Sequence, residues 1–190
     1  MFGLGNPSQK YAYSRHNVGF DTVDGIAAFL HFKLRKRCFR LYRQAVVSMP
    51  SKVEATFVQP LTYMNRSGDI SRFFFPQPYS IDELIVVCDN LDLPPGMIRI
   101  RKGGSTAGHN GLKSLVASLG SGDFIRVYVG IGRPKPPITI VDHVLGKPSD
   151  PEEAQALRSG VALATEAVMA LCDGRPLDEV MRAYNRKNST

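Results

Sequence analysis

Cysteine is scarce in this sequence of 190 residues, and no two cysteines occur in a CxxC pair. The three that are present, Cys38, Cys88 and Cys172, are an odd number and lie far apart. This pattern argues against a disulfide framework and against a structural zinc site, because both need closely spaced or paired cysteines. Buried, reduced thiols are the expected state, since free cysteine is among the residue types most often buried.

Long apolar runs are also missing. No segment approaches the roughly 20 apolar residues that span a bilayer, so no transmembrane helix is predicted. Residues 1–5 lack a basic region followed by an apolar stretch, and no signal peptide is predicted. The expected location is therefore the cytoplasm.

Internal repeats, low-complexity tracts and a recognisable linker are absent as well. The length suits one compact domain over residues 1–190 with a sizeable core. Strand-like and helix-like stretches alternate along the chain, which predicts an α/β fold with helices around a sheet.

Apolar spacing and turn residues define the predicted elements. Strands are expected at 44–49, 53–58, 84–88, 97–101 and 125–131. Helices are expected at 18–30, 66–75 and 109–119, with two more near the end of the chain. The strand at 84–88 is continuously apolar, which is typical of a strand buried on both faces.

The residues that begin and end the last two helices can be identified. Asp150 is the predicted N-cap of the first, Pro151 takes its first helical position, and Glu153 is expected to close a capping box. Gly174 ends that helix, and Pro176 starts the next.

Acidic residues are in the minority, so the net charge is +7 and the pI is about 9.5. A basic surface attracts polyanions, with nucleic acid as the first candidate and an anionic membrane as the second. The densest basic stretch, residues 33–43, has aromatic residues between its cations, as many nucleic-acid surfaces do. A solvated amphipathic strand explains the same stretch equally well.

Polar residues concentrate in segments 3–20, 59–68, 89–96 and 102–113, each at a junction between predicted elements. Open α/β folds place their sites at such junctions, beyond the carboxyl ends of strands. In the first segment, His16 directly precedes a predicted helix, whose N-terminus disfavours the imidazolium and keeps the ring able to accept a proton. A capping or surface histidine is the alternative interpretation.

The second and third segments supply an amide and two carboxylates. Asn65 opens a predicted helix, so its side chain either caps that helix or holds a water or a substrate carbonyl. Asp89 ends a buried strand, where a carboxylate can orient a neighbouring imidazole. Asp92 has two interpretations: a metal site shared with Asp89, or turn hydrogen bonds before Pro94.

The fourth segment is a glycine-rich loop between a predicted strand and a predicted helix. Its N–H groups and the helix N-terminus suit a phosphate, but no Lys-Ser or Lys-Thr directly follows the last glycine as in a Walker A loop. The sequence also lacks a Gly-x-Ser-x-Gly elbow and a cysteine nucleophile motif. Histidine, aspartate and asparagine without a nucleophile indicate hydrolysis by water, with His16 as base and amide donors at the oxyanion.

Taken in their order and spacing, the four segments resemble the bacterial-type peptidyl-tRNA hydrolase family, and the likeness continues through residues 126–134 and 144–148. The resemblance implies a single-domain, monomeric α/β fold, with helices flanking a mixed, mostly parallel twisted sheet, and no metal or cofactor. It implies a substrate, peptidyl-tRNA or another N-blocked aminoacyl-tRNA, whose ester bond is hydrolysed to release the peptide and the tRNA. A free α-amino group would arrive charged where a neutral amide is expected.

By the same likeness, His16 is the general base and Asp89 is the carboxylate that orients it. The other implied substrate contacts are Asn6 and His109 in the pocket, Tyr11 beside the terminal nucleotide, Met64 at the peptide channel, and Asn65 and Asn110 around the water, the peptide backbone or the terminal ribose.

The resemblance further implies two basic residues that grip the 5′-phosphate of the tRNA acceptor stem. Arg101 matches the first of them, whereas Tyr128 stands where the second, an arginine, is expected. Arg126, two positions earlier on the same strand face, and Arg133, after the strand, are the candidate replacements. A further departure is Cys88 in place of a histidine, a change expected to affect packing more than chemistry.

Two alternatives stay open besides the enzyme. A non-catalytic RNA-binding member of the fold is one, since a chloroplast relative serves as an intron-splicing factor, and a metal-dependent hydrolase is the other. The complete set of candidate catalytic residues and the lack of a long extension or transit segment favour the enzyme. Only two residues precede the first polar segment, which predicts a clipped first strand or a start further upstream.

Overall fold

A seven-stranded sheet forms the centre of the protein in a computed structural model that describes residues 1–36, 41–75 and 81–185. The strands run in the order β2-β3-β4-β1-β5-β7-β6 across the sheet. Their bounds are β1 Phe2–Gly3, β2 Arg35–Lys36, β3 Tyr42–Ser48, β4 Glu54–Pro60, β5 Ile85–Asn90, β6 Ile98–Lys102 and β7 Ile125–Gly130.

Strand direction makes the sheet mixed and mostly parallel, as predicted. The central strands β4, β1, β5 and β7 are parallel, while β3 lies antiparallel to β4, and β6 lies antiparallel to β7. Phe2 of β1 is in register with Val58 on one side and Val86 on the other. The carboxyl ends of β1, β5 and β7 therefore meet at one edge of the sheet.

Helices cover both faces of the sheet. The α-helices are α1 Val18–Phe29, α2 Asn110–Leu119, α3 Ile140–Leu145, α4 Pro151–Cys172 and α5 Leu177–Asn185. Three further segments are 3-10 helices: Gln9–Tyr11, Arg15–Asn17 and Met64–Phe73. Among the described residues, no helix is both long and apolar enough to cross a membrane.

Two apolar layers, one on each face of the sheet, form the core. Val87 of β5 packs with α1 and α4 through residues such as Val23 and Val168. Its neighbour Val86 packs on the opposite face with α2 through residues such as Leu115. This alternation confirms that β5 is buried on both faces, as its continuous apolar run predicted.

Glycine lets α1 lie close to the strands at this edge. A Cβ atom added at Gly19 would lie 2.4 Å from the Leu4 nitrogen and 2.5 Å from the Val87 oxygen, so no larger residue fits. The close approach brings the turn before α1, which carries His16, next to the carboxyl end of β5.

One predicted helix has different bounds, and three short helices were missed. The stretch expected as a helix over 66–75 is a 3-10 helix that begins at Met64, with Tyr63 at its N-cap and a bend at Arg66. Asn65 is therefore the second residue of this helix and not its cap. The short helices α3, Gln9–Tyr11 and Arg15–Asn17 were not predicted, because three to six residues carry too little apolar periodicity.

The capping prediction for α4 was half right. The Asp150 side chain accepts from the Glu152 N–H, as an N-cap does. Glu153 does not close a capping box, because its carboxylate pairs with the distant Arg15. Of the three cysteines, Cys88 is buried, Cys172 is only partly buried, and Cys38 lies outside the described residues.

Candidate active site

Three elements bring a carboxylate and two imidazoles together at the carboxyl edge of the sheet. Asp89 is the penultimate residue of β5 and is only 4% exposed. His16 lies in the 3-10 turn Arg15–Asn17 that leads into α1, and His109 is the N-cap of α2. His16 was predicted to precede a helix, and it does; the second helix was predicted to begin near His109, which is its N-cap.

A single oxygen of Asp89 contacts both rings. Its Oδ1 atom lies 2.6 Å from His16 Nδ1 and 3.0 Å from His109 Nε2. The two imidazole rings are 5.0 Å apart between centroids, so they touch one another as well as the carboxylate. Sequence reasoning predicted the contact between Asp89 and His16. It placed His109 in the pocket without predicting its contact with Asp89.

The contacts of His109 define its tautomer. Its Nδ1 atom accepts from the N–H groups of Gly111 and Leu112, at 3.1 and 3.2 Å, so this nitrogen carries no proton. The proton of the neutral ring is therefore on Nε2, which donates to Asp89. His109 thus caps α2 and binds the carboxylate with opposite sides of one ring.

His16 is oriented by the same oxygen. Its Nδ1–H donates to Asp89, which leaves the lone pair on Nε2. Among the described residues, His16 Nε2 has no hydrogen-bond partner, while the ring lines the cleft described below. The geometry gives one imidazole that is held on one side and available as a proton acceptor on the other.

Electrostatics keep Asp89 ionised. Burial alone raises the pKa of this carboxyl, but the adjoining rings of His16 and His109 lower it by more, and the pKa lies below its ordinary value. The neighbouring Cys88 is fully buried, and burial raises the pKa of its thiol, so it packs as a neutral side chain.

A cleft of about 240 Å³ opens in front of these residues. His16, Asp89, His109 and Asn110 all line it, together with Tyr128. Another wall of this cleft is apolar and is formed by α3, a helix that was not predicted from the sequence. The α3 residues on this wall are Ile140, Val141 and Val144.

Asn6 and Asn17 tie the loop after β1 to the turn that carries His16. The Asn17 amide accepts from the Asn6 N–H at 2.9 Å and donates to the Asn6 carbonyl at 3.1 Å. The Asn6 side chain in turn accepts from the Met64 N–H at 2.9 Å. Asn6 lines a separate polar hollow of about 180 Å³. Sequence reasoning missed Asn17, although its place beside His16 was a signal.

Met64 packs at the base of α2. It is buried, and a Cβ atom added at Gly111 would lie 2.6 Å from its sulfur and 3.1 Å from the His109 Cε1 atom. Met64 therefore links Asn6 to the cap of α2. The next residue, Asn65, is exposed, as is Asn110 at the first position of α2.

Tyr11 ends the 3-10 helix Gln9–Tyr11, which lies in the sequence between Asn6 and the turn that carries His16. Its ring is half-buried, and the Lys10 ammonium lies 5.5 Å from its centroid. A cation beside an aromatic ring on the surface suits a nucleotide base or a phosphate.

Of the three arginines proposed for a phosphate, Arg101 and Arg126 differ in exposure. Arg101 on β6 is exposed. Arg126 on β7, which is in register with Arg101, is fully buried. Its guanidinium donates to the carbonyls of Ser105 and Gly122 and to the Tyr128 hydroxyl. Arg126 therefore supports the glycine-rich loop from behind and is not available to an external phosphate, which removes it as a replacement.

Asp92 does not join a metal-ligand group with Asp89. Its carboxylate pairs with exposed Arg133, at 2.8 Å from the Arg133 Nε atom, while its backbone N–H donates to the Asn90 Oδ1 atom at 2.7 Å, a turn bond of the predicted kind. In the described part of the chain, one group of potential metal ligands lies close together, namely His16, Asp89 and His109, with ligand atoms within 4.8 Å of one another.

Comparison with known proteins identifies the family of the chain. The family model described as Peptidyl-tRNA hydrolase matches residues 1–190. A peptidyl-tRNA hydrolase of Halalkalibacterium halodurans is 43% identical over 187 residues, 97% of this chain and 98% of that protein. The Bacillus subtilis peptidyl-tRNA hydrolase is 42% identical over 188 residues, 97% of each chain.

A solved structure gives the same result for the fold. The crystal structure of peptidyl-tRNA hydrolase from Acinetobacter baumannii superposes with a TM-score of 0.84 at 31% identity, covering 97% of this chain and 92% of that chain. The chain therefore belongs to the peptidyl-tRNA hydrolase family.

Proposed function

We propose that this chain hydrolyses the ester bond between the peptide and the tRNA in peptidyl-tRNA, using a water molecule activated by His16. Membership of the family makes it an ester hydrolase. The observation that carries the finer proposal is the contact of 2.6 Å between His16 Nδ1 and Asp89 Oδ1, which leaves His16 Nε2 as a proton acceptor at the cleft.

The reaction needs only water as a second reactant. His16 Nε2 takes a proton from water while the water oxygen bonds to the acyl carbon, and Asp89 stabilises the resulting imidazolium. The tetrahedral intermediate then breaks its bond to the ribose oxygen, which takes the proton from His16 Nε2. The peptide leaves with a carboxyl end, and the tRNA leaves with a free ribose hydroxyl.

Amide groups around the cleft suit the remaining tasks. Asn110 lines the cleft at the first position of α2, where its amide and the positive end of the helix both favour a developing oxyanion. Asn65 follows the buried Met64 and is exposed, so it can meet the first peptide bond of the substrate. Asn6 acts through its hydrogen bond to the Met64 backbone.

The tRNA would bind through charge around the site. The net charge is +7, and exposed Arg101 precedes the glycine-rich loop. Tyr11, with its neighbouring Lys10 cation, would flank the terminal nucleotide. We further expect the protein to act as a monomer and without a cofactor.

The hydrogen bonds of His109 argue for an acid–base pair over a metal centre. To bind a metal, His109 Nε2 would need a free lone pair and Nδ1 would need the proton. Nδ1 instead faces two N–H donors of α2, so that tautomer would break the helix cap.

The test is cleavage of an N-acetylated aminoacyl-tRNA, with the matching free aminoacyl-tRNA as control. We expect the blocked ester to be cleaved at the same rate with or without excess chelator, and the free ester to persist. Binding of the blocked tRNA without cleavage would overturn the proposal in favour of a non-catalytic RNA-binding protein. Loss of cleavage in chelator would overturn the metal-free mechanism.

A further inference from the structure

Arg15, the residue before His16, is buried although it carries a charge. Its guanidinium forms a bidentate pair with Glu153 in the first turn of α4, with Nε–Oε1 at 2.6 Å and Nη2–Oε2 at 2.7 Å. Its third nitrogen, Nη1, donates to the carbonyl oxygens of His143 and Lys147, at 3.1 and 3.2 Å. One side chain thus joins the turn of His16 to the end of α3 and the start of α4.

Polar contacts add to a small apolar contact in positioning the helix α3. All six of its residues are described and none of them is buried, although the partly buried Val144 packs against the apolar core. The backbone N–H of Arg15 donates to the Gly146 carbonyl just after the helix, at 3.1 Å. The His143 Nε2 atom donates to the carbonyls of Ile131 and Gly132, at 3.1 and 3.0 Å. Arg15 and His143 are therefore the polar anchors of α3.

Gly146 lets Arg15 reach the carboxyl end of α3. A Cβ atom at this position would lie 2.8 Å from the Asp142 oxygen and 3.4 Å from Arg15 Nη1. The unpaired carbonyls at the end of a helix carry partial negative charge, which a cation stabilises. The guanidinium therefore adds a donor at the carboxyl end of a helix whose N-cap is the Thr139 side chain and whose His143 carbonyl also accepts from the Gly146 N–H.

Stability alone does not account for this arrangement. A buried ion pair contributes little relative to apolar residues of the same volume, because desolvation offsets the attraction. Apolar residues could not supply directed bonds to the carbonyls of His143 on α3 and of Lys147 just after it. Those bonds fix α3, and with it the apolar wall of the cleft, relative to His16.

We propose that Arg15 is a positioning residue of the reaction. It holds the base His16 and the wall formed by Ile140, Val141 and Val144 at one spacing, so that an ester bound against the wall meets His16 Nε2. The inference rests on the proposed role of His16. Small misplacements of reacting groups cost catalysis heavily, on the order of 100-fold for 1 Å.

The test separates positioning from folding with a double variant. Arg15→Met leaves the partly buried Glu153 carboxylate without its cation and should destabilise the fold. Arg15→Met/Glu153→Leu removes both charges and should recover the stability, while the carbonyls of α3 still lack their donor. The matched control is Arg182→Met/Asp178→Leu, an exposed ion pair of 2.7 Å on α5.

For each variant we would measure the unfolding midpoint, kcat and KM on N-acetylated aminoacyl-tRNA, and amide hydrogen exchange across α3. In the Arg15→Met/Glu153→Leu variant we expect a midpoint near that of the wild type, kcat lower by about 10- to 100-fold, and a higher KM. Exchange in α3 should be at least about 10-fold faster, with β5 and α4 unchanged. The control should match the wild type in all of these.

Wild-type kcat and KM in the folded double variant would overturn the proposal, because Arg15 would then serve stability alone. If that variant does not fold, Arg15→Lys replaces it, since an ammonium can pair with Glu153 but cannot reach both α3 carbonyls as well. The same losses are expected of it, and wild-type kinetics would again overturn the proposal. Unchanged amide hydrogen exchange in α3 would overturn the positioning role of Arg15, whether or not His16 is the base. An active His16→Ala variant would reject only the assignment of His16 as the base.

Discussion

The Nδ1 atom of His16 lies 2.6 Å from the Oδ1 atom of Asp89, although 73 positions separate the two residues in the sequence. The contact exists because α1 packs tightly on the strands through Gly19, which brings the turn before α1 to the end of β5. It orients the ring and leaves one nitrogen free for a proton.

Asp89→Asn should slow cleavage while leaving tRNA binding intact. An amide at this position no longer accepts from both imidazoles as a carboxylate does, so the tautomer and orientation of His16 are lost. We expect kcat to fall by about 100- to 10,000-fold, as for other carboxylates that orient a catalytic histidine. Single-turnover cleavage measures this, with the exposed Asp178→Asn as control. An unchanged rate would remove Asp89 from the mechanism.

Two substitutions of His109 should separate its roles. Asn can cap α2 but cannot reach Asp89 as the ring does, so His109→Asn should lower turnover and retain most of the stability. His109→Ala loses both functions and should cost about 1 kcal/mol more in the free energy of unfolding. Chemical denaturation and turnover measure the two effects. Equal stability of both variants would argue against the cap.

Arg101→Ala should weaken tRNA binding and reduce its salt dependence. One lost phosphate contact lowers the slope of log K against log salt by about 0.7 to 0.9. Titrations of tRNA at several salt concentrations measure the slope, with the α5 residue Arg182→Ala as control. Identical slopes for Arg101→Ala and the wild type would argue against a phosphate contact at this residue.

Asp21 in the first turn of α1 should make stability fall as pH rises. Burial, with a further contribution from the nearby Asp24 charge, raises the pKa of Asp21 from 3.8 to about 7. Because the folded pKa exceeds the unfolded one, the folded state loses stability between these values, and the loss is complete above about pH 7.

Asp21→Asn removes that loss. Near pH 8 the variant should be more stable than the wild type by about 2 to 4 kcal/mol, and the gain should shrink toward pH 4. Urea unfolding at several pH values measures this, with the more exposed Asp69→Asn as control. A gain that does not depend on pH would contradict the raised pKa.

Much of the fold follows from local patterns in the sequence. Continuous apolar residues predicted the buried β5, and Asp150 with Pro151 predicted the start of α4. Because the carboxyl ends of parallel strands share one edge, the position of Asp89 at the end of β5 also predicted where the site would form.

The parts that could not be predicted depend on distant partners. Glu153 has the spacing of a capping box, but a buried guanidinium 138 positions away binds its carboxylate more strongly than a single N–H would. Arg126 follows the same principle, since burial on β7 turned an apparent surface cation into a support for the loop at Ser105. The position of Asn17 beside His16 was a signal, but its two bonds to Asn6 depend on loop geometry that the sequence does not show.

The most direct test of the account is single-turnover cleavage of N-acetylated aminoacyl-tRNA by His16→Ala, with tRNA affinity measured on the same preparation. Removing the one acceptor at Nε2 should lower the cleavage rate by at least about 1,000-fold, while affinity stays within about two-fold of the wild type. A variant that binds tRNA and cleaves at a near-normal rate would contradict the assignment of His16 as the base.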